Sequence, residues 1–176
     1  MPGREQLFQL SISTPDGQFI ARYSAKGLAE LNFPNAKAFV APKRSEGGRA
    51  AKANGFPASI LRWHRATESA LKNSLAGRAA IKLPPLDLSA GTEFQRRVWN
   101  ALRKISTGQT KSYGEVARAI GKPNAVRAVG GACGANPIPV LVPCHRVLTA
   151  NHKLGGFSGG LDWKRRLLAR ERIVLL

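Results

Sequence analysis

The chain has 176 residues, with 28 Lys and Arg against 10 Asp and Glu, and a formal net charge of +18. Hydrophobic residues make up 43%, enough for a packed core, which excludes wholesale disorder. Apolar runs such as residues 138–142 fall far short of the roughly 20 residues a membrane span needs, and residues 1–7 lack a signal-peptide core, so a cytoplasmic location is expected.

Residues 1–90 carry 13 basic and 6 acidic side chains, and residues 91–176 carry 15 and 4. The excess is denser in the second half. A merely basic surface fits this charge. So does a nucleic-acid binder, held by phosphate contacts and counterion release, and that is the sharper reading. The two cysteines, Cys133 and Cys144, cannot form a disulfide framework, and each is expected as a free thiol. No CxxC or HxxxH spacing appears, so no metal site is expected.

In chain order, residues 7–12 read as a strand, 14–18 as a turn, 19–23 as a partner strand and 28–33 as a third. Residues 41–49 read as a polar loop. Residues 58–77 have helical spacing, with Ile60, Leu61, His64, Ala70, Leu71 and Leu75 inward. Residues 82–89, with Pro84 and Pro85, read as an extended linker. These features divide the chain into domains 1–88 and 89–176, in an α+β fold whose second part is mostly helical.

Thr92 is placed to cap a helix reaching Ile105, with Phe94, Val98, Ala101, Leu102 and Ile105 as its apolar stripe. Ser112 and Glu115 form a capping box. The helix it starts carries Val116, Ala119 and Ile120 inward and breaks at 121–124. Asn124 then caps a second helix, about 125–133. Two short helices across a four-residue turn suggest a helix-turn-helix. The second helix offers Arg127 and otherwise mainly Ala and Gly. It is either slim enough for the minor groove, about 6 Å wide, or small in order to pack against a neighbour.

The segment 136–147 carries the chemistry. The apolar run 140–142 reads as a buried strand delivering Cys144, with Pro143 restricting the backbone before it. His145 and Arg146 adjoin Cys144, and either cation would favour the thiolate. On an extended strand, neighbours point to opposite faces. His145 therefore reaches the sulfur only if the chain turns, or through a water. Beyond Cys144 the only acids are Asp162 and Glu171, and a helix over 161–172 would bring Glu171 back toward His145. The rival reading places Glu171 among the surface cations Lys164, Arg170 and Arg172.

Pro143-Cys-His-Arg-Val147 resembles the active-site motif of the O6-alkylguanine-DNA alkyltransferases. Residues 91–99, 112–116, 127–132, 136–137 and 156–161 match that family in order and spacing, over about residues 89–172. The resemblance implies a repair protein that flips out O6-alkylguanine and moves the alkyl group onto Cys144, once and irreversibly. It implies a relay of His145, a water and Glu171, and Asn136 bracing the active-site turn. Tyr113 would donate a proton to the departing guanine. Arg127 would fill the gap left by the flipped nucleotide, with Ala125, Ala128, Gly130 and Gly131 forming the slim minor-groove face. Val147, Phe157 and Ser158, with Tyr113, would line the guanine pocket. The implied partner is alkylated duplex DNA, with no cofactor; a monomer is expected because no heptad or apolar interface segment appears. The family often has Tyr at position 157 and sometimes a basic residue at 134, where this chain has Phe157 and Gly134. Three rival readings are a binding module that flags alkylguanine without reacting, a helix-turn-helix regulator, and a Cys-His hydrolase, for which no oxyanion-hole motif appears.

Overall fold

Apolar residues alternate along the first strands, and that alternation builds the sheet. In a computed structural model, which describes residues 7–34 and 55–175, β1 (Phe8–Thr14), β2 (Gly17–Ser24) and β3 (Gly27–Asn32) form an antiparallel meander in that order. Ile12, Phe19, Ala21, Tyr23, Leu28 and Leu31 are buried. Helix α1 (Ala58–Leu75) packs on β1 and β3 and buries Ile60, Ala70, Leu71 and Leu75. The polar loop expected at 41–49 lies outside the described residues.

The linker is part of the sheet. Leu28 N–H donates to the Pro85 carbonyl and Asp87 N–H to the Leu28 carbonyl, both at 2.8 Å, so residues 85–87 run along the free edge of β3. This covers an edge that would otherwise be open to pairing.

In the second half, α2 (Glu93–Leu102) begins with a reciprocal capping box between Thr92 and Gln95. It ends three residues before the expected Ile105. There Lys104 and Ile105 donate to carbonyls three residues back, the tighter bonding that closes many helices. The Ser112–Glu115 box starts α3 (Tyr113–Ala119). Val116, Ala117 and Ile120 face inward, and Ala119, expected inside, is exposed. At 100° per residue, 116 and 117 flank 120 on one face, and 119 lies about 100° from the middle of that face. Asn124 does not cap α4 (Val126–Gly134). Ala125 holds the cap position without a side-chain bond, and Ala125 N–H closes the turn on the Lys122 carbonyl at 2.9 Å.

The run 140–142 is not a strand. Val142 N–H reaches back to the Ile138 carbonyl at 2.9 Å, and Val140 sits at φ +73°, a strained setting for a β-branched residue. Short parallel strands β4 (Lys111–Ser112) and β5 (Val147–Leu148) pair beside it, and α5 (Leu161–Arg170) closes the chain. A single buried cluster runs from Ile12 and Phe19 through Trp99 to Val147 and Leu167, joining both halves. At the surface, Asp16 in the β1–β2 turn accepts two bonds from Arg170, at 2.8 and 2.6 Å. The architecture is α+β. Among the described residues no helix is long and apolar enough to cross a membrane.

Candidate active site

Pro143 has φ −81° and ψ 63°, the setting of an inverse γ-turn. Cys144 N–H accordingly donates to the Val142 carbonyl at 2.8 Å. Residues 144–146 then form one turn of 3-10 helix. The chain therefore turns at the point where Cys144 and His145 would otherwise have diverged.

Asn136 ties this turn together. Its Nδ2 donates to the Val142 carbonyl at 2.8 Å and to Cys144 Sγ at 3.1 Å, while its Oδ1 accepts from Ile138 N–H at 3.0 Å. Cys144 is 3% exposed. Burial pushes its thiol up to about 11, against the opposing pull of the Asn136 bond and the Lys164 charge. His145 and Arg146, the two residues after Cys144, are both engaged with other groups. Arg146 Nε reaches Glu171 at 2.9 Å, and its Nη1 and Nη2 donate to the Ile105 carbonyl and Thr107. His145 Nε2 lies 2.8 Å from Glu171 Oε1, and burial lowers the imidazole's pKa.

Glu171 sits just past the end of α5 and is buried. Burial alone would raise its pKa, but the bonds from His145 and Arg146 prevail and hold it at about 2. An ionised carboxylate accepts only, so His145 Nε2 carries the proton in this pair. His145 Nδ1 is left as an acceptor, buried and without a hydrogen-bond partner among the described residues.

Lys164 is a residue that pattern reasoning missed. It is fully buried, and its Nζ donates to the carbonyls of Val147 at 2.7 Å and Gly156 at 3.3 Å. Burial lowers its pKa to about 8. Its spacing from Leu167, Leu168 and Glu171 puts it on their face of α5, a signal overridden by the run of three cations at 164–166.

Tyr113 is half-buried at the start of α3, and burial raises its phenol to about 12, so it is a proton donor at neutral pH. A Cβ on Gly155 would lie 2.9 Å from its hydroxyl, so the loop after β5 passes directly against the ring. Val147 is buried, with its carbonyl already bonded by Lys164. Phe157 packs edge-on against Phe33, and Ser158 is exposed beside it.

The remaining candidates lie on α4 and are not part of this network. Val129, Ala132 and Cys133 face the core. Arg127, Ala128 and Gly131 are exposed, and Ala125 and Gly130 are half-exposed. A Cβ on Gly131 would meet nothing within 4 Å, and one on Gly130 only the edge of Tyr113 at 4.0 Å. Among the described residues no neighbouring element requires the smallness of these two glycines. Arg118, Lys122 and Arg127 are exposed around this face without a carboxylate partner among the described residues. Among the described residues no group of three His, Cys, Asp or Glu is placed to hold a metal ion.

The family model for the 6-O-methylguanine DNA methyltransferase DNA binding domain matches residues 93–173. A methylated-DNA–protein-cysteine methyltransferase of Mycolicibacterium paratuberculosis is 62% identical over 87 residues, 49% of this chain and 52% of that protein. One from Methanosarcina acetivorans is 55% identical over 91 residues, 52% of this chain and 56% of that protein. The chain thus spans about half the length of the curated relatives it matches. Among solved structures, Mycobacterium tuberculosis OGT in complex with DNA superposes with a TM-score of 0.71 at 36% identity, covering 92% of this chain and 91% of that one.

Proposed function

The chain belongs to the methylated-DNA–protein-cysteine methyltransferase family, and from that premise we propose that it repairs DNA by moving an alkyl group from guanine O6 onto Cys144. One observation carries the reading. His145 is bonded through Nε2 to ionised Glu171 and has Nδ1 unpartnered, next in sequence to a thiol in a braced turn.

The resting thiol is neutral. Deprotonation therefore belongs to the reaction itself, with His145 Nδ1 taking the thiol proton through a bridging water. Glu171 stabilises the imidazolium that results, the task of the orienting carboxylate in nucleophilic Cys–His sites. The sulfur attacks the alkyl carbon in line, the C–O bond breaks, and its electron pair goes to the guanine. Tyr113 supplies a proton to the ring, which makes guanine a better leaving group. His145 then gives up the thiol's proton to water and Tyr113 regains one from solvent, so that overall S–H and C–O bonds are exchanged for C–S and N–H bonds. A thioether has no leaving tendency here, so each molecule reacts once.

The target atom lies inside the base stack, so the nucleotide must flip out at a cost of a few kcal/mol. The outward face of α4 carries small residues and the exposed Arg127, which supports approach to a minor groove about 6 Å wide, where Arg127 would fill the vacated space. Ser158 and the Val147 backbone would meet the extruded base, with Phe157 backing them. Residues 89–176 carry the site, and residues 1–88 support it, in a protein that acts as a monomer in the cytoplasm.

Intact mass after incubation with a duplex containing O6-methylguanine tests this. One equivalent gains about 14 Da, a methyl in place of hydrogen on a nucleophilic sulfur, and Cys144→Ala gains nothing. Unchanged wild-type mass with tight lesion binding would make it a binding module. Sequence-specific binding of undamaged DNA would make it a regulator.

A further inference from the structure

The loop over residues 155–160 is held at three points. Tyr113 lies against Gly155, and Lys164 Nζ bonds the Gly156 carbonyl at 3.3 Å. The third support comes from the other half of the chain. Phe33, just after β3, packs edge-on against Phe157 with ring centroids 5.8 Å apart and planes at 70°. It also lies so close to Gly159 that a Cβ there would stand 2.5 Å from its ring. Ser158 is thus flanked on both sides by residues resting on one aromatic ring.

That ring is rigidly backed. Phe33 stacks on Trp163 of α5 at 4.8 Å and on Phe19 of β2 at 5.5 Å, and Phe19 meets Trp163 at 5.6 Å. All three are buried. Phe19 therefore belongs to the same cluster, but among the described residues its ring contacts are with Phe33 and Trp163 and not with the loop. The pair separates a general core role from a positional one.

We propose that Phe33 is a positioning residue for the substrate loop, fixing where Ser158 stands relative to Cys144 and thereby how well the extruded base is captured. This rests on the repair function proposed above. A group that holds a bound base acts only from a fixed position, so displacing Ser158 weakens capture of the base ahead of the chemistry, whereas generic loosening of a core is not selective in this way. Leucine at position 33 removes the ring edge that Gly159 and Phe157 rest on, and the loop settles into the space left. The chemical step, carried by Cys144, His145 and Glu171, stays intact.

The test compares Phe33→Leu with Phe19→Leu in the full-length protein, using free O6-benzylguanine as the reacting probe. Phe33→Leu raises the half-saturating probe concentration about tenfold and keeps the limiting rate within about twofold. Hydrogen exchange at residues 155–160 quickens in the same variant, and Phe19→Leu shows neither change. Equal behaviour of the two variants, or unchanged exchange and half-saturation in Phe33→Leu, overturns the proposal. If the wild type fails to react with any alkylguanine, the repair reading falls. The exchange comparison then still decides whether Phe33 holds the loop.

Discussion

The turn at 136–146 and the outer face of α4 use opposite designs. In the turn, nearly every polar group is committed: Asn136 to Val142 and Cys144, Arg146 to Glu171, Ile105 and Thr107, and Glu171 to His145. His145 Nδ1 stands out because it is uncommitted there. On α4 the outward side chains make no hydrogen bond or ion pair among the described residues, and Gly131 has open space where a side chain would be. Chemistry in a desolvated site requires groups fixed in advance. Contact with a long polyanion requires a face that is left free.

The largest expected effect lies in the turn. Cys144→Ala abolishes alkyl transfer, read by intact mass, while gel-shift affinity for a lesion-bearing duplex stays within about threefold, because α4 is untouched. Loss of binding in that variant would break the separation between the two regions. Next comes Glu171→Gln, which leaves His145 without a charged partner. The single-turnover rate falls by about 10²–10⁴-fold, measured by quenched flow at saturating duplex.

Glu171→Gln also changes stability against pH. Glu171 titrates at about 2 in the fold against an ordinary 4.5, so its ionised form stabilises the native state above the ordinary value. That contribution fades as pH falls from about 4.5 toward 2 and amounts to about 3 kcal/mol. Urea midpoints across that range decline steeply for the wild type and more gently for the variant. Parallel declines would show that Glu171 holds no special place in the buried network.

Arg127→Ala belongs to the other region. It slows repair in duplex DNA about tenfold and leaves reaction with free O6-benzylguanine unchanged, because only the duplex has a gap to fill. Equal losses on both substrates would contradict insertion. A drop of about one in the salt slope for undamaged duplex, with no selective loss on lesions, would make Arg127 a phosphate clamp instead.

What the sequence revealed follows from the range of the forces involved. Both capping boxes, at Thr92–Gln95 and Ser112–Glu115, are local devices; the second was read as a box and the first only as a Thr92 cap. The run 140–142 forms a turn, although in sequence it looks like a strand because β-branched apolar residues favour one. Pro137, Pro139 and Pro143 around it argue against one, since proline cannot donate to a ladder. Asn136 and Glu171 reach Cys144 and His145 across 8 and 26 residues; the first link comes only from the family resemblance, the second also from the scarcity of acids beyond Cys144 and the helix expected over 161–172. Phe33 was invisible as part of the site. Its partners Phe157 and Gly159 lie over a hundred residues away, and nothing in its local pattern distinguishes it from a core strand residue.

The smallest expected effect discriminates most finely between the two designs. Gly131 is exposed in the interior of α4, so Gly131→Ala should stabilise the protein by about 0.5–1 kcal/mol through reduced backbone entropy in the unfolded chain. If α4 is slim in order to enter a narrow groove, the same methyl group must weaken duplex repair while the melting temperature rises. Reaction with free O6-benzylguanine should not change, since the Asn136–Cys144 turn is untouched. Stability and duplex repair moving in opposite directions would mean that glycine is kept here for the DNA and at the expense of the helix. If both rose together, the smallness of α4 would have no external cause, and the minor-groove reading would lose its main structural support.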